Sequence, residues 1–127
     1  MRILKVEPGK LPYEKEIENT LEAMQAEVEG FIEVIPVGHD MVVVCNEEGK
    51  CYGMQPNRWL GNDIVCGPFF VAAEAYDEER NLASLNDAQL REANDYFSVI
   101  DVFTGNEPQL EPLVRFVELE VDEDDHC

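Results

Sequence analysis

The sequence predicts an α+β domain, a mostly antiparallel sheet with two helices in the order β-α-β-β-β-β-α-β. Three observations lead there. Two segments carry apolar residues at helical spacing, Ile17, Leu21, Met24, Val28 and Leu90, Ala93, Phe97. Between them run consecutive strand-like segments separated by turn residues. The chain is 127 residues long and 45% apolar, enough for one core without a metal or a disulfide.

Residues 2–7 read as the first strand, ended by Pro8-Gly9-Lys10. Pro12 suits a first helical position, with Glu14 and Glu16 in the acidic first turn and Gly30 as the stop. On that helix Glu14, Glu18 and Glu22 share a solvent face, where like charges cost a little stability. Residues 31–37 predict a strand and Gly38-His39-Asp40 a turn. Residues 41–45 predict a strand buried on both faces. It leads into a hairpin that turns at Asn46-Glu47-Glu48-Gly49, with Gly49 at positive φ, and returns over 50–54.

The apolar stretch 64–73 is broken by Gly67-Pro68, the mark of a bend, bulge or edge. A charged loop covers 76–81. Ser84 or Asn86 caps the second helix, with Ser84 and Asp87 as a weak capping box. A loop spans 102–112, and 113–121 alternates apolar and acidic residues as a last strand. The domain is expected to cover 1–121, with 122–127 an acidic tail.

Charge is the sharpest compositional feature, with 28 acidic and 9 basic residues for a net −19. The excess is uneven: residues 1–58 carry net −5 and residues 59–127 net −14. Direct nucleic-acid binding needs lysines and arginines to displace phosphate counterions, so it is disfavoured, and so is an anionic membrane surface. A basic protein partner suits the charge, as does simple solubility. The N-terminal segment breaks at Glu7-Pro8 too early for a signal peptide, and no apolar run approaches the ~20 residues of a bilayer span. A cytoplasmic protein is expected.

No catalytic motif is present. There is no phosphate loop, nucleophile elbow or zinc-hydrolase helix, and no cofactor is expected. Cys45, Cys51, Cys66 and Cys127 lack ligand spacing for zinc. Cys45 and Cys51 flank the predicted 46–49 turn, which brings them near each other as packed or edge thiols or as a redox pair. Acidic residues 122–125 lack the glycine-bearing loop of a calcium site.

One cluster has unusual content, Gln55-Pro56-Asn57-Arg58-Trp59. Asn57, Arg58 and Trp59 read either as a polar ligand site or as a turn, with Arg58 on nearby carboxylates and Trp59 in the core.

The segments Val6-Glu7-Pro8-Gly9-Lys10, Pro12-Tyr13, Gly30-Phe31-Ile32-Glu33, Cys45-Asn46-Glu47-Glu48-Gly49-Lys50, Pro56-Asn57-Arg58, Gly67-Pro68-Phe69-Phe70 and Ser84-Leu85 together resemble a domain family of unknown function, DUF3846. The resemblance covers about residues 1–100. It implies an accessory protein of phages, plasmids and conjugative elements of Gram-positive bacteria, and brings no activity or catalytic residue.

Charge and context together give the first functional expectation: a non-enzymatic inhibitor of a host-defence nuclease, anti-CRISPR or anti-restriction, that imitates nucleic acid. Its partner-binding acidic face would be Glu74, Asp77, Glu78, Glu79, Glu118, Glu120, Asp122 and Glu123. The partner is expected to be a basic nucleic-acid-binding nuclease. The alternatives are a small-molecule or nucleotide binder using Pro56–Trp59, or a replication or conjugation accessory protein.

Overall fold

A computed structural model describes residues 1–75 and 82–111. The alternation of apolar residues along Arg2–Val6 (β1) sends Ile3 to one face of a sheet and Leu4 and Val6 to the other, all nearly fully buried. The same double burial holds for Met41–Asn46 and Phe69–Glu74, so these strands must lie inside the sheet. The other strands of that sheet are Tyr13–Glu16 (β2), Ile32–Gly38 (β3), Met41–Asn46 (β4), Phe69–Glu74 (β7) and the short Leu82–Ala83 (β8). The order is β2-β1-β7-β4-β3, antiparallel throughout, with β8 on β7. Pro56–Leu60 (β5) and Asp63–Cys66 (β6) form a separate hairpin.

Each face of the sheet has its own core. Leu21–Val28 (α1) closes one over Ile3, Val42, Val44, Phe70 and Ala72. Asp87–Phe97 (α2) and the β5–β6 hairpin close the other over Leu4, Val43, Phe69 and Val71. The α+β class and the two helices hold, while several element boundaries differ from the sequence expectation.

The first helix does not begin at Pro12. Residues 13–16 form an edge strand on β1, with Arg2 opposite Glu16 and Lys5 opposite Tyr13. The helix starts only after Thr20, whose Oγ1 accepts from the Ala23 N–H at 3.1 Å. Glu14, Glu18 and Glu22 therefore do not share a helix face. Glutamates four apart, such as Glu14 and Glu18, share a face in a helix and in a strand alike, and the unpaired edge of β1 decides for the strand. Ile17 and Val28 are buried and Met24 half-buried against the sheet, but Leu21 stays exposed.

The expected 41–54 hairpin is also replaced. β4 pairs with β3 and β7, and its link to β3 is the two-residue loop His39-Asp40, both at positive φ. Two side-chain hydrogen bonds from α2 clasp that loop, from Gln89 Nε2 to the carbonyls of His39 and Asp40 at 3.1 and 3.2 Å. Residues 47–54 instead form a string of turns, among them Tyr52 N–H to Glu48 O and Met54 N–H to Gly49 O. Gly49 does not adopt a positive φ. It is required for space, because a Cβ there would stand 2.6 Å from the Cys66 carbonyl oxygen. Cys45 consequently faces Glu33 on β3 rather than Cys51 across a hairpin.

The break at Gly67-Pro68 separates β6 from β7, sending them into different sheets. The second helix is capped by Asn86 with Gln89 in a reciprocal box at 2.7 and 3.0 Å, while Ser84 accepts from the Arg2 N–H instead. Ala93 and Phe97 bury as expected and Leu90 packs beside them. A 3-10 turn, Pro108–Leu110, lies within the 102–112 loop. The 76–81 loop, the expected 113–121 strand and the 122–127 tail lie outside the described residues.

Candidate functional site

Asn57 and Arg58 sit on β5, a strand rather than a turn, at a register shift between Pro56 and Arg58. The irregularity turns Asn57 inward. Its amide donates to the carbonyls of Val6 and Gly67, each at 2.9 Å, and so ties β1 to the end of the hairpin. The Arg58 guanidinium is 1% exposed. Nε donates to Phe97 O at 3.1 Å, Nη1 to Asn57 O and Oδ1 at 3.1 and 2.9 Å, and Nη2 to Lys10 O at 2.5 Å.

No described carboxylate pairs directly with this guanidinium. Its partners are oxygen dipoles, including a carbonyl at the C-terminus of α2, where a cation also meets the negative end of the helix dipole. Burial lowers the Arg58 pKa, against the pull of nearby Asp101. That carboxylate accepts from the Trp59 N–H at 2.9 Å, and the half-buried Trp59 ring lies tilted on Phe103. Asn57 and Arg58 thus join the β1–β2 loop, the hairpin and α2, and neither presents its polar atoms to an open surface.

Of the acidic residues named from sequence, Glu74 alone lies among the described ones. It is half-buried at the end of β7, and its N–H donates to Asp40 O at 2.8 Å. Asp77, Glu78, Glu79, Glu118, Glu120, Asp122 and Glu123 lie outside the described residues.

The described surface has an anionic corner that sequence reasoning missed. Where α1 passes into β3, the Asn46 amide reaches the carbonyls of Val28 and Glu29, and the Glu47 N–H donates to Phe31 O at 2.9 Å. The exposed residues Glu29 and Glu47 therefore flank Phe31, which is 67% exposed. The Glu47-Glu48 pair and Phe31 were visible in the sequence, but their meeting depends on the β3–β4 register.

Among the described residues most cations are paired. Lys5 is buried with its Nζ 2.6 Å from Glu27, and Lys15 joins the same carboxylate at 2.9 Å. Burial alone would raise the Glu27 pKa, but hydrogen bonds from both lysines bring it below the ordinary value. Arg2 bonds Asp87, and Lys50 pairs with Asp63.

A cleft of about 560 Å³ opens on the α2 side. Met41, Val65 and Val71 form its floor, Ile35 and Val37 of the edge strand one wall, and Tyr96 and Phe97 of α2 another. Asp63 and Glu92 also line it, and Glu92 meets the His39 ring. Asn57 and Arg58 are not part of this lining.

Among the described residues no group of three or more histidine, cysteine, aspartate and glutamate side chains is arranged to hold a metal. Burial pushes the Cys45 thiol up to about 12 and raises Cys66 in the same direction.

Residues 1–98 match the family described as Domain of unknown function (DUF3846). The chain belongs to that family. No curated protein and no solved structure matches it. Several segments that carried the resemblance have scaffold roles: Asn57 and Arg58 in the polar tie, Asn46 around the α1–β3 junction, and Gly49 against Cys66. A Cβ on Gly30 would approach the Asn46 amide nitrogen to 2.6 Å, so that DUF3846 position is also restricted by packing. Among the described residues no helix is long and apolar enough to cross a membrane.

Proposed function

We propose that the protein is a non-enzymatic accessory of a mobile genetic element, acting in the host cytoplasm as an acidic inhibitor of a basic defence nuclease. It would present carboxylates where the nuclease expects phosphates. The observation that carries this reading is the division of charge. Among the described cations Arg2, Lys5, Lys10, Lys15 and Lys50 each pair with a carboxylate and Arg58 is buried on carbonyls, which leaves the exposed Arg91 as the one without an ion pair to a described residue. Exposed Glu18, Glu22, Glu29, Glu33 and Glu47 make no ion pair with a described residue, so the outer surface keeps the anionic excess. A basic nucleic-acid channel attracts such a surface from a distance, and that attraction is screened by salt.

A nucleotide binder is less well supported. Among the described residues that line the α2-side cleft there is no cation to meet a phosphate, and Arg58 has its hydrogen bonds committed internally.

The test uses purified restriction and CRISPR nucleases. Binding should weaken steeply with salt, since the screening length shortens to roughly 8 Å at physiological ionic strength. DNA or guide RNA should compete for the site. Reversing Glu118 and Glu120 together should slow association more than reversing Glu18 and Glu22, which add to the overall anionic excess but stand outside the expected partner-binding face, because the local field steers docking more than total charge does. Equal slowing would indicate nonspecific charge, and absence of binding at low salt across the candidate nucleases would remove the proposal.

A further inference from the structure

We infer that the cleft between α2, the β5–β6 hairpin and β3 is a docking site for a cationic amphipathic segment of a partner protein. An apolar side chain would enter the cleft, and flanking arginine or lysine would meet Glu92 and Asp63. This inference concerns a different surface from the carboxylate corner at Phe31 and does not depend on the partner being a nuclease.

Three features lead to that occupant. The volume, about 560 Å³, falls within the range of cavities that enclose ligand-sized groups. The floor and walls are apolar, drawn from the sheet, the hairpin and the helix, so filling them removes apolar surface from water. The charged residues in the described lining are both carboxylates, Asp63 and Glu92, and the full chain carries net −19. An anionic segment would be repelled there, and a second copy of this acidic chain is a poor electrostatic match.

Two details favour a peptide segment over a small organic cation. One wall belongs to an edge strand, because β3 pairs with β4 and with no other described strand. The opposite wall presents Tyr96, 56% exposed with its ring edge-on to Phe97. Tyrosine in such a place offers a flat apolar surface, a hydroxyl and a ring face for a cation. Lys50 already pairs with Asp63, so Glu92, whose described side-chain partner is the His39 ring, is the primary contact for an incoming cation.

The experiment is titration of the full-length protein with a short synthetic peptide alternating arginine and leucine, followed by amide chemical shifts and fluorescence. The expected shifts fall on Ile35, Val37, Gly61 and Tyr96. Peptides with leucine replaced by serine, or arginine by glutamate, should bind at least about tenfold more weakly, a difference of about 1.4 kcal/mol. Glu92→Lys and Tyr96→Ser should each weaken the parent peptide by a similar factor. Glu22→Lys, the same charge change on α1 across the sheet, should have less than about a threefold effect.

Amide spectra of the free variants must retain the dispersion of the wild type. If Tyr96→Ser does not, Tyr96→Phe replaces it and should retain most of the binding. Equal weakening by Glu92→Lys and Glu22→Lys would overturn the inference in favour of general charge attraction. So would peptide binding with no cleft shifts, or no peptide binding. Concentration-dependent cleft shifts in the free protein would assign the cleft to a second copy and overturn it too. Benzylammonium binding as tightly as the peptide would assign the site to a small organic cation instead.

Discussion

Replacing Arg58 by alanine should unfold this protein more readily rather than silence a binding site. The guanidinium supplies hydrogen bonds to Phe97 O, Lys10 O and the Asn57 oxygens, with the side chain 1% exposed. Truncation leaves those acceptors without this donor and opens a cavity between β5, the β1–β2 loop and α2. A buried acceptor left unmet costs about 1–3 kcal/mol, and water entering the cavity recovers part of it. Adding the lost packing gives about 3–5 kcal/mol for Arg58→Ala. That is a large fraction of the roughly 5–15 kcal/mol a domain has in total, and corresponds to a fall in Tm of about 10 °C or more. Arg58→Lys keeps a cation but not the planar fork, and should lose about 2 kcal/mol. Urea unfolding followed by circular dichroism measures both, with the m-value checked for constancy. A loss below about 1 kcal/mol for Arg58→Ala would refute the reasoning. A ligand-binding arginine predicts the reverse pattern, lost binding with stability kept.

The two kinds of glycine should separate under alanine substitution. Gly49→Ala sets a Cβ 2.6 Å from a backbone oxygen and should cost about 2 kcal/mol or more, whereas Gly53→Ala, in open space at φ 67°, should cost about 1 kcal/mol, both read by thermal unfolding. Glu27→Gln should destabilise at neutral pH. Because the folded Glu27 pKa is depressed, its contribution is present above the unfolded value and lost as pH falls through the folded one, so the gap between wild type and Glu27→Gln should narrow below about pH 4 in acid titrations of stability. Iodoacetamide should label Cys51 well before Cys45 and Cys66 in the native protein, as mass spectrometry of timed samples would show, since the latter two are buried and held as thiols. Equal labelling rates would contradict that burial.

Several features were legible because they depend on nearest neighbours along the chain. Alternation along residues 2–6, the continuous apolar run of β4, the Gly38-His39-Asp40 turn, the Leu90, Ala93, Phe97 stripe and Asn86 as a cap all follow from local period and local hydrogen bonding. The net −19 needs no structure.

Tertiary structure decided what those local rules leave degenerate. Residues 13–16 satisfy helix and strand periods alike, and the open edge of β1 selects the strand. Residues 50–54 had strand-like composition, but β4 already has β3 and β7 as partners, so they remain turns. Arg58 illustrates the same limit at the level of function. Its residue type signals either an anion site or a structural tie. The choice rests on Lys10 and Phe97, respectively 48 and 39 positions away in sequence, whose carbonyls converge on its guanidinium only when β1, β5 and α2 are packed. Hydrogen-bond partners at that separation leave no periodic trace in the sequence, because they are set by chain crossings and not by neighbours.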